Sequence, residues 1–491
     1  MTTFHIEQFG CRATQADGAA LERQLRDRGC VAAANSATAD VVVVNTCTVT
    51  AASDSQARDA IRKIHGRNPA ARVIVTGCYA QRAPEELAAL PGVSWVVGNS
   101  HKPQIPDLAA QLAPAAAASA PANTFVPAEK LLGSGEHLKN AGTLGPGDLS
   151  LDRGAAKILT GNIFEQTEFL SAPVLGGEGN HTRPTLKIQD GCNSRCSYCV
   201  IPFVRGKSRS LPPDEVVAQI RRLNEAGYRE IVLSGIKLGT WGRDLSPRAE
   251  FDDLLRHILN ETSLERLRIS SIEPLDVTQD LVALFASTPR LAQHFHMPLQ
   301  SGSDGVLAAM HRWYRAEHYA RRVELIREHL PNAAIGADVI TGFPGETDQD
   351  HAATMAFIER LPLTYLHVFS FSPRPGTRAA ELPGKVPAAE IHSRARELRG
   401  LSERKSAVFY AMQENRTLEV LTLRDSARNA ASKANATPGW TPAISSNYLQ
   451  VRVLGVFPPN QLLRAQVISA APGFLDAQPE TPGVFAVQHG S

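Results

Sequence analysis

Three cysteines close together are the first residues in this chain whose types and spacing indicate chemistry. Cys192, Cys196 and Cys199 follow a C-x3-C-x2-C spacing, and no fourth cysteine lies nearby in the sequence. A structural zinc site needs four ligands in a tetrahedron, usually from paired C-x2-C sequences. A cuboidal iron–sulfur cluster also has four metal corners, so three thiolates leave one iron able to bind another molecule. The spacing favours such an open cluster; a zinc site with a distant fourth ligand and a buried group of thiols are the alternatives.

Three further cysteines lie at equivalent places in the first hundred residues. Cys11, Cys47 and Cys78 each follow a different predicted strand by two or three residues. If those strands are parallel neighbours, their carboxyl ends bring the three thiols to one edge of the sheet. That arrangement predicts a second open cluster, whereas the alternative is a coincidence among small buried hydrophobic residues. Cys30 has no such position and is interpreted as an ordinary residue.

The elements that position the second set of cysteines are predicted from apolar periodicity. Strands are predicted at 3–8, 40–45, 72–76 and 94–97, and helices at 14–28, 53–65 and 84–90, with Ser53 as a helix cap. This alternation predicts a small α/β domain over residues 1–105, doubly wound and flavodoxin-like.

A second series of strands and helices covers residues 183–410. Strands are predicted at 185–188, 230–234, 267–271, 293–297, 336–340 and 365–370, and the clearest of the intervening helices is at 214–226. Six such units predict a partial (β/α)6 barrel, in which functional residues lie on the loops after the strands. Cys192, Cys196 and Cys199 lie on the loop after the first of these strands, as that rule requires.

Polar residues and glycines follow the other strands of this series and are candidates for contacts with a bound cofactor. They are Gly235, Glu273, Gln300 and the turn at 341–347. Glu273 could accept hydrogen bonds from a ribose or an ammonium group, and the glycines allow a ligand to approach the backbone closely. Each also has an ordinary interpretation as a turn or cap without a ligand. His294, His296 and His367 lie on predicted strands and are interpreted as core residues rather than ligands.

Outside these two series the apolar pattern is weaker. Residues 106–182 are rich in alanine, proline and glycine and are predicted to be a low-complexity linker or insertion, with short helices at 106–112 and 155–169. A helix at 387–414 and strands at 418–423, 448–454 and 462–468 predict a small all-β domain over 411–475. The tail, 476–491, is predicted to be disordered.

Composition limits the class of protein. The 491 residues include 51 basic and 49 acidic ones, so a net charge of +2 neither supports nor excludes a nucleic-acid partner. The chain begins Met-Thr-Thr-Phe-His, unlike a signal peptide, and no run approaches the ~18 apolar residues that a membrane span needs. Seven cysteines, an odd number, predict a cytoplasmic location in which cysteines are metal ligands or catalytic groups.

Four cysteine motifs lie along the chain, namely F-G-C at 9–11, N-T-C-T-V-T at 45–50, T-G-C-Y-A-Q at 76–81 and Q-D-G-C-N-S-R-C-S-Y-C at 189–199. Together they resemble the motifs of one enzyme family, the radical S-adenosylmethionine (SAM) methylthiotransferases. The first three resemble those of its amino-terminal domain, and the fourth resembles its radical SAM motif. N-T-C-T-V-T, and H-V-F-S at 367–370 before R-P-G-T at 374–377, look most like the subgroup that acts on tRNA N6-threonylcarbamoyladenosine. G-W-T at 439–441 and S-N-Y-L-Q-V at 446–451 resemble a TRAM domain in part, with few basic residues.

The resemblance implies cofactors and their ligands. One 4Fe–4S cluster would be held by Cys192, Cys196 and Cys199 and would bind SAM, and an auxiliary 4Fe–4S cluster would be held by Cys11, Cys47 and Cys78. SAM would contact Tyr198, Gly235, Glu273 and Gln300. A radical from SAM would remove the hydrogen at carbon 2 of adenine, the auxiliary cluster would deliver sulfur, and a second SAM would supply the methyl group. An unactivated C–H bond requires such cofactor chemistry because no side-chain base can deprotonate it.

The resemblance also implies partners. These are the anticodon stem-loop of tRNA and an electron donor such as flavodoxin or ferredoxin, and no membrane. Arg205, Lys207 and Arg209 are candidates for phosphate contacts, with a solvated basic loop as the alternative. Three other functions stay open: the same reaction on isopentenyladenosine in tRNA, the same reaction on a ribosomal-protein aspartate, and a non-catalytic metal-binding protein associated with RNA.

Overall fold

The computed structural model describes residues 1–111, 156–170, 172, 182–424 and 439–480. These residues form two successive α/β units and a closed β-barrel. In this part of the chain, no helix combines the length with the apolar character that crossing a membrane requires. Residues 112–155, 171 and 173–181 of the predicted linker, 425–438, and 481–491 of the predicted tail lie outside the described residues.

The first unit is a sheet of six parallel strands in the order β2-β1-β3-β4-β5-β6. The strands are β1 (Thr3–Gln8), β2 (Val31–Ala32), β3 (Val41–Thr46), β4 (Arg72–Gly77), β5 (Val93–Gly98) and β6 (Lys157–Leu159). The helices are α1 (Arg12–Asp27), α2 (Ala51–Arg67), α3 (Cys78–Arg82), α4 (Pro84–Ala88) and α5 (Ile105–Gln111). The four valines of β3 are fully buried, as expected when helices cover both faces of a parallel sheet. The predicted doubly wound α/β architecture is confirmed.

This sheet differs from the sequence prediction at its edges. The helix predicted at 155–169 is wrong: Lys157, Ile158 and Leu159 pair with Trp95, Val96 and Val97, because the open edge of β5 offers backbone hydrogen bonds to an extended segment. The sheet therefore extends beyond residue 105. Helix α2 also begins earlier than predicted, and its cap is Thr50, whose side chain accepts a hydrogen bond from the Ser53 amide at 3.2 Å.

The second unit is the predicted partial barrel. Its six strands are β7 (Thr185–Lys187), β10 (Glu230–Ser234), β11 (Arg266–Ile269), β12 (His294–His296), β13 (Ala334–Thr341) and β14 (Tyr365–Ser370), and β8 (Gln189–Asp190) pairs with β9 (Arg209–Ser210) beside them. The helices are α6 (Ile201–Arg205), α7 (Pro213–Glu225), α8 (Phe251–Glu261), α9 (Gln279–Ser287), α10 (Asp304–Ala309), α11 (Ala316–His329), α12 (Asp348–Arg360), α13 (Arg378–Glu381) and α14 (Ala388–Ala411).

The six strands run in parallel as two groups of three, β7-β10-β11 and β12-β13-β14. Single bridges, Leu267 to Leu291 and Ser271 to His296, join the two groups. On β13, Ile335, Ala337 and Val339 belong to the main apolar core, so the residues between them face the concave side of the partial barrel.

The third unit is a closed barrel of five strands in the order β15-β16-β17-β19-β18. They are β15 (Thr417–Thr422), β16 (Trp440–Ser445), β17 (Gln450–Leu454), β18 (Leu462–Ala471) and β19 (Phe474–Pro479). β19 corrects the prediction that disorder begins at residue 476. It pairs with both β17 and β18, and Leu475 and Ala477 are fully buried, so the last strand closes the barrel.

The small barrel covers the amino ends of the central strands. Arg268 donates hydrogen bonds from its guanidinium to the carbonyls of Ser445 at 3.1 Å and Ser446 at 3.0 Å. The ring of Tyr448 stacks on that of His294 with 4.3 Å between centroids. The opposite, carboxyl ends of the strands therefore remain available for the loops that carry the candidate site.

Candidate active site

The loop between β8 and α6 carries Cys192, Cys196 and Cys199, all of them free and partly exposed. Two backbone hydrogen bonds hold its ends: the Cys192 amide donates to the Gly206 carbonyl at 3.0 Å, and the Ser197 amide donates to the Met310 carbonyl at 3.0 Å. The three thiols thus project from one short, anchored loop.

Several groups act directly on these thiols. The guanidinium of Arg312 donates to the Cys196 sulfur at 3.3 Å, and its other nitrogen pairs with the Glu273 carboxylate. Burial raises the pKa of Cys196 and raises that of Cys199 to about 12. A thiolate at these positions therefore needs positive charge beside it, which Arg312 supplies in part and bound metal would complete.

A cavity of about 630 Å³ opens beside this loop. All three cysteines line it, and the exposed side chains of its lining include Phe203, Lys207 and Arg378. The cysteines are thus accessible from solvent on a side that carries basic and aromatic residues.

The second set of cysteines follows three neighbouring strands, as predicted. Cys11, Cys47 and Cys78 come after β1, β3 and β4, which are adjacent in the sheet. Burial, together with the charges of the nearby Cys78 and Cys11 thiols, raises the pKa of Cys47 to about 12. The seventh cysteine, Cys30, lies in a separate apolar cluster.

Glycines make room for this second set. Gly10 has φ +99°, and a Cβ there would lie 2.9 Å from the Cys47 sulfur. Gly77 has the same φ, and a Cβ there would lie 2.2 Å from the Thr46 carbonyl oxygen. Glycine is therefore required immediately before Cys11 and Cys78.

The spread of the sulfur atoms distinguishes a cluster from a single ion. Among the described residues, which include every cysteine, neither set brings its three sulfurs within 4.8 Å of one another. Two sulfurs on one zinc, each about 2.3 Å from it, cannot be more than about 4.6 Å apart. Both sets therefore fit a multi-iron cluster better than a zinc ion.

A buried group of ionic residues joins the two cysteine sites. Asp17 of the first unit pairs with Arg205 at 3.0 Å and with Lys187 at 2.5 Å in the second unit, and with Lys102 at 2.9 Å in its own unit. Arg205 also pairs with Asp190 at 2.9 Å. This corrects the prediction of Arg205 as a phosphate contact, because its guanidinium is buried between two carboxylates.

Arg209 is not available for phosphates either. Its side chain is 13% exposed, and it donates to the carbonyls of Gln166 at 3.0 Å and Arg205 at 3.1 Å. Of the three predicted basic contacts, only Lys207 is exposed.

The predicted cofactor contacts lie at the carboxyl ends of the strands. Glu273 is reached by Arg312, as described above, and Gln300 has φ +67° and is held by its amide on the Asp338 carbonyl at 2.8 Å. Gly235 packs against Gln189, to which an added Cβ would approach within 3.0 Å. Tyr198 packs against the apolar cluster that includes Phe343.

Two groups at the site were not found from the sequence. Arg312 lies 116 residues from Cys196 and has no motif around it. His367 was interpreted as a core residue, which is wrong: its side chain is 54% exposed, whereas His294 and His296 are buried as predicted. Only the position of His367 on the last strand of the open barrel leaves it uncovered.

The fold and the two cysteine sites define a radical SAM enzyme with a second cysteine-bearing domain at its amino end. The model of the radical SAM superfamily matches residues 186–358, and that of the uncharacterised protein family UPF0004 matches residues 3–98. The structure of the radical SAM methyltransferase TsrM from Kitasatospora setae covers 77% of this chain and 77% of its own, at a TM-score of 0.52 and 17% identity. That likeness concerns the fold.

Relatives with assigned names resolve the family. A threonylcarbamoyladenosine tRNA methylthiotransferase MtaB from Aquifex aeolicus is 35% identical over 86% of this chain and 92% of its own length. The protein of the same name from Bacillus subtilis is 33% identical over 92% and 90%. A tRNA-2-methylthio-N(6)-dimethylallyladenosine synthase from Sphingopyxis alaskensis is 31% identical over 97% of both chains. The chain belongs to the radical SAM methylthiotransferase family, and its superfamily implies SAM and a 4Fe–4S cluster.

Proposed function

We propose that this enzyme adds a methylthio group to carbon 2 of N6-threonylcarbamoyladenosine, next to the anticodon of tRNA. The observation that carries the proposal is the presence of two three-cysteine sites on units packed together. Cys78 of the first site shares an apolar cluster with Val200 and Val204, which follow Cys199 of the second. With three cysteines, a four-iron cluster at each site would keep one iron without a protein ligand, and the reaction needs one such iron for SAM and one for sulfur.

The ligands of the two clusters follow from this proposal. Cys192, Cys196 and Cys199 would hold the cluster that binds SAM, and Cys11, Cys47 and Cys78 would hold the auxiliary one. When bound, the first cluster would pass an electron to SAM, SAM would supply the radical and the methyl group, and the auxiliary cluster would deliver the sulfur, which is the cofactor chemistry that an unactivated C–H bond requires.

The chain itself contributes charge and position. Arg312 places a cation against Cys196, and Glu273 fixes the guanidinium by pairing with it. The remaining predicted SAM contacts, Tyr198, Gly235 and Gln300, lie around the same strand ends. These groups would orient the cofactor, while the buried ion group keeps the two cysteine sites in a fixed relation.

Exposed groups near the cysteine loop support the proposed partners. Arg195, Lys207 and Arg378 are exposed around the cavity and could neutralise phosphates of the anticodon stem-loop. The same basic rim would suit an acidic electron donor such as flavodoxin or ferredoxin.

A second substrate is supported by a specific finding. The Sphingopyxis alaskensis relative, named for a dimethylallyladenosine product, matches this chain end to end. The identity is higher with the two relatives named for threonylcarbamoyladenosine, so that nucleoside is the first candidate.

The test is reconstitution of the purified chain with iron and sulfide without oxygen, followed by reductant, SAM and tRNA. Two tRNAs are compared, one with threonylcarbamoyladenosine and one with isopentenyladenosine, and their nucleosides are measured by mass spectrometry. We expect about eight irons per chain, the content of two four-iron clusters, and a methylthio gain on the first nucleoside. A methylthio gain confined to isopentenyladenosine would contradict the proposed substrate. An iron content of about four per chain would contradict the presence of a second cluster.

A further inference from the structure

Strand β14 turns two uncovered side chains toward the concave side of the partial barrel. Leu366 and Val368 pack into the main apolar core, so alternation points His367 and Phe369 the other way. The His367 side chain is 54% exposed and Phe369 is 44% exposed. A polar ring and an apolar ring thus lie two residues apart on one accessible strip.

The segment that follows this strip contacts the loops of both cysteine sites. Beyond β14, Ser372 accepts a hydrogen bond from the Ala51 amide at 3.1 Å, and Arg374 donates to the carbonyl of Thr48 at 3.3 Å, next to Cys47. Further along, the Ala379 amide donates to the Ser197 carbonyl at 2.8 Å, inside the other cysteine loop. The segment that continues β14 therefore contacts both loops.

We propose that His367 and Phe369 form the subsite for the modified adenine, with Phe369 stacking on the base and His367 binding the polar side chain on its N6. The proposal rests on the proposed function, because a carbon that both cysteine sites must reach has to lie between them. It adds to that function by assigning the residues that select the nucleoside.

The surroundings of His367 fix its orientation. Its Nδ1 lies 3.3 Å from an oxygen of Asp338, and Nε2 of His296 lies 3.1 Å from the same oxygen. Burial would raise the pKa of Asp338, but the two neighbouring histidine rings lower it to about 2, so the carboxylate is ionised. Within the described residues, Nε2 of His367 has no hydrogen-bond partner, so this ring nitrogen of an exposed side chain can bind a ligand.

The chemistry of the substrate matches these two rings. A threonylcarbamoyl group carries a carboxylate, which can accept a hydrogen bond from Nε2–H of the imidazolium form of His367, whereas a dimethylallyl group offers no acceptor. A base taken out of its stack in RNA is held by aromatic side chains, and Phe369 is an exposed ring of that kind.

The test uses two anticodon stem-loop RNAs that differ in one group. One carries threonylcarbamoyladenosine, and the other carries the same nucleoside with its carboxylate converted to an amide. In H367N the amide can still reach Asp338 but lacks the outer nitrogen, whereas H367Q extends a donor toward the cleft. We expect H367N to lose about 10- to 100-fold in kcat/KM on the first RNA, as for a lost hydrogen bond to a charged group, and less than threefold on the second. H367Q should recover part of the loss.

A second variant separates stacking from recognition of the N6 group. F369L keeps an apolar side chain without a ring, and we expect it to weaken binding of both RNAs alike, by about 5- to 100-fold in Kd. H318N, on the exposed face of α11, and V408A, on the exposed face of α14, serve as controls. Neither should change kcat/KM or Kd for either RNA. Iron content is measured in every variant to show that both clusters are loaded.

Three outcomes would overturn the proposal. The first is an equal loss of kcat/KM on both RNAs in H367N, and the second is no loss of kcat/KM on either RNA. The third is an unchanged Kd in F369L. Failure of the proposed function would look different, since the wild-type enzyme would then leave threonylcarbamoyladenosine unmodified. In that case the Kd values of the two RNAs for wild type and H367N still decide whether His367 binds the carboxylate.

Discussion

Cys196 and Cys47 belong to different cysteine sites, so we expect their substitution to affect different steps of the reaction. Cys196→Ala should abolish SAM cleavage, because it removes a ligand of the site that would bind SAM. Cys47→Ala should leave uncoupled SAM cleavage measurable while abolishing sulfur insertion. The measurement is 5′-deoxyadenosine and methylthio product in the same reaction. Cys30→Ala is the control, because Cys30 lies in a separate core. Equal loss of SAM cleavage in the Cys196 and Cys47 variants would count against the separate roles.

Arg312 contacts the sulfur of Cys196, so its substitution should change the reduction potential of the cluster that Cys196 would hold. Its guanidinium donates to Cys196 at 3.3 Å, and hydrogen bonds to cluster sulfurs favour the more negative, reduced state. We expect R312M to lower the reduction potential of that cluster by roughly 60 mV, the one-electron equivalent of a tenfold change. The measurement is an anaerobic redox titration followed by electron paramagnetic resonance. Arg315→Met, at an exposed position nearby, should leave the potential in place. An unchanged potential in R312M would show that the contact is only structural.

At the scale of elements, the turns that carry the cysteines depend on their glycines. A Cβ on Gly10 would lie 2.4 Å from the Cβ of Cys47, so Gly10→Ala should displace that thiol and halve the iron content after reconstitution. Gly29→Ala is a matched control, because Gly29 also has a positive φ but no atom lies within 4 Å of the added Cβ. Both variants bear the backbone strain of about 1–2 kcal/mol, and only the first bears the clash. Equal iron loss in both would assign the effect to strain.

The elements also show what a sequence can predict. Long periodic stretches such as α7, whose Val216, Val217, Ile220 and Leu223 are all buried, are found because burial imposes the period. Short strands such as β6 and β19 are missed, because pairing with a neighbour at a sheet edge creates them and their own residues carry little pattern. Cys192, Cys196 and Cys199 were found because their spacing is local, whereas the other three cysteines were found because each follows a predicted strand.

Residues that act across the chain are harder to predict. Arg205 resembled a phosphate contact because it is basic and lies near a cysteine motif, but Asp17, 188 residues away, binds it in the interior. His367 resembled a core residue because it lies on a strand, and only the openness of the barrel exposes it. In both cases the burial of the side chain is decided by parts of the fold that are distant in sequence.

At the scale of the whole molecule, two buried ionic groups hold the α/β units together. In the first, Asp17 lies among Lys102, Lys187 and Arg205. In the second, Arg374 of the partial barrel pairs with Asp54 of the first unit at 2.6 Å, and Arg82 joins them at 3.1 Å. Buried charges with several partners fix the relative arrangement of the two units, because any other arrangement would leave these charges unpaired. The relation between the cysteine sites is therefore set by charge as well as by apolar contact.

Removing the central carboxylate should show how strongly this interface depends on it. D17N leaves three cations without their shared partner, so we expect it to lower the free energy of unfolding by about 3–5 kcal/mol at pH 7. The measurement is urea unfolding of the metal-free protein. D107N is the control, since Asp107 pairs with Arg28 at the surface and its loss should cost less than about 1 kcal/mol.

The difference in the free energy of unfolding between wild type and D17N should depend on pH in a defined direction. Burial raises the pKa of Asp17, but Lys102, Lys187 and Arg205 lower it from 3.8 to about 2. A group whose pKa is lower in the folded state stabilises above its unfolded pKa, and this contribution is lost as pH falls toward the folded pKa. The difference between wild type and D17N should therefore be equal at pH 7 and pH 5 and should shrink only below about pH 4. A difference that changes between pH 5 and pH 7 would mean that a histidine or a thiol, and not Asp17, controls the interface.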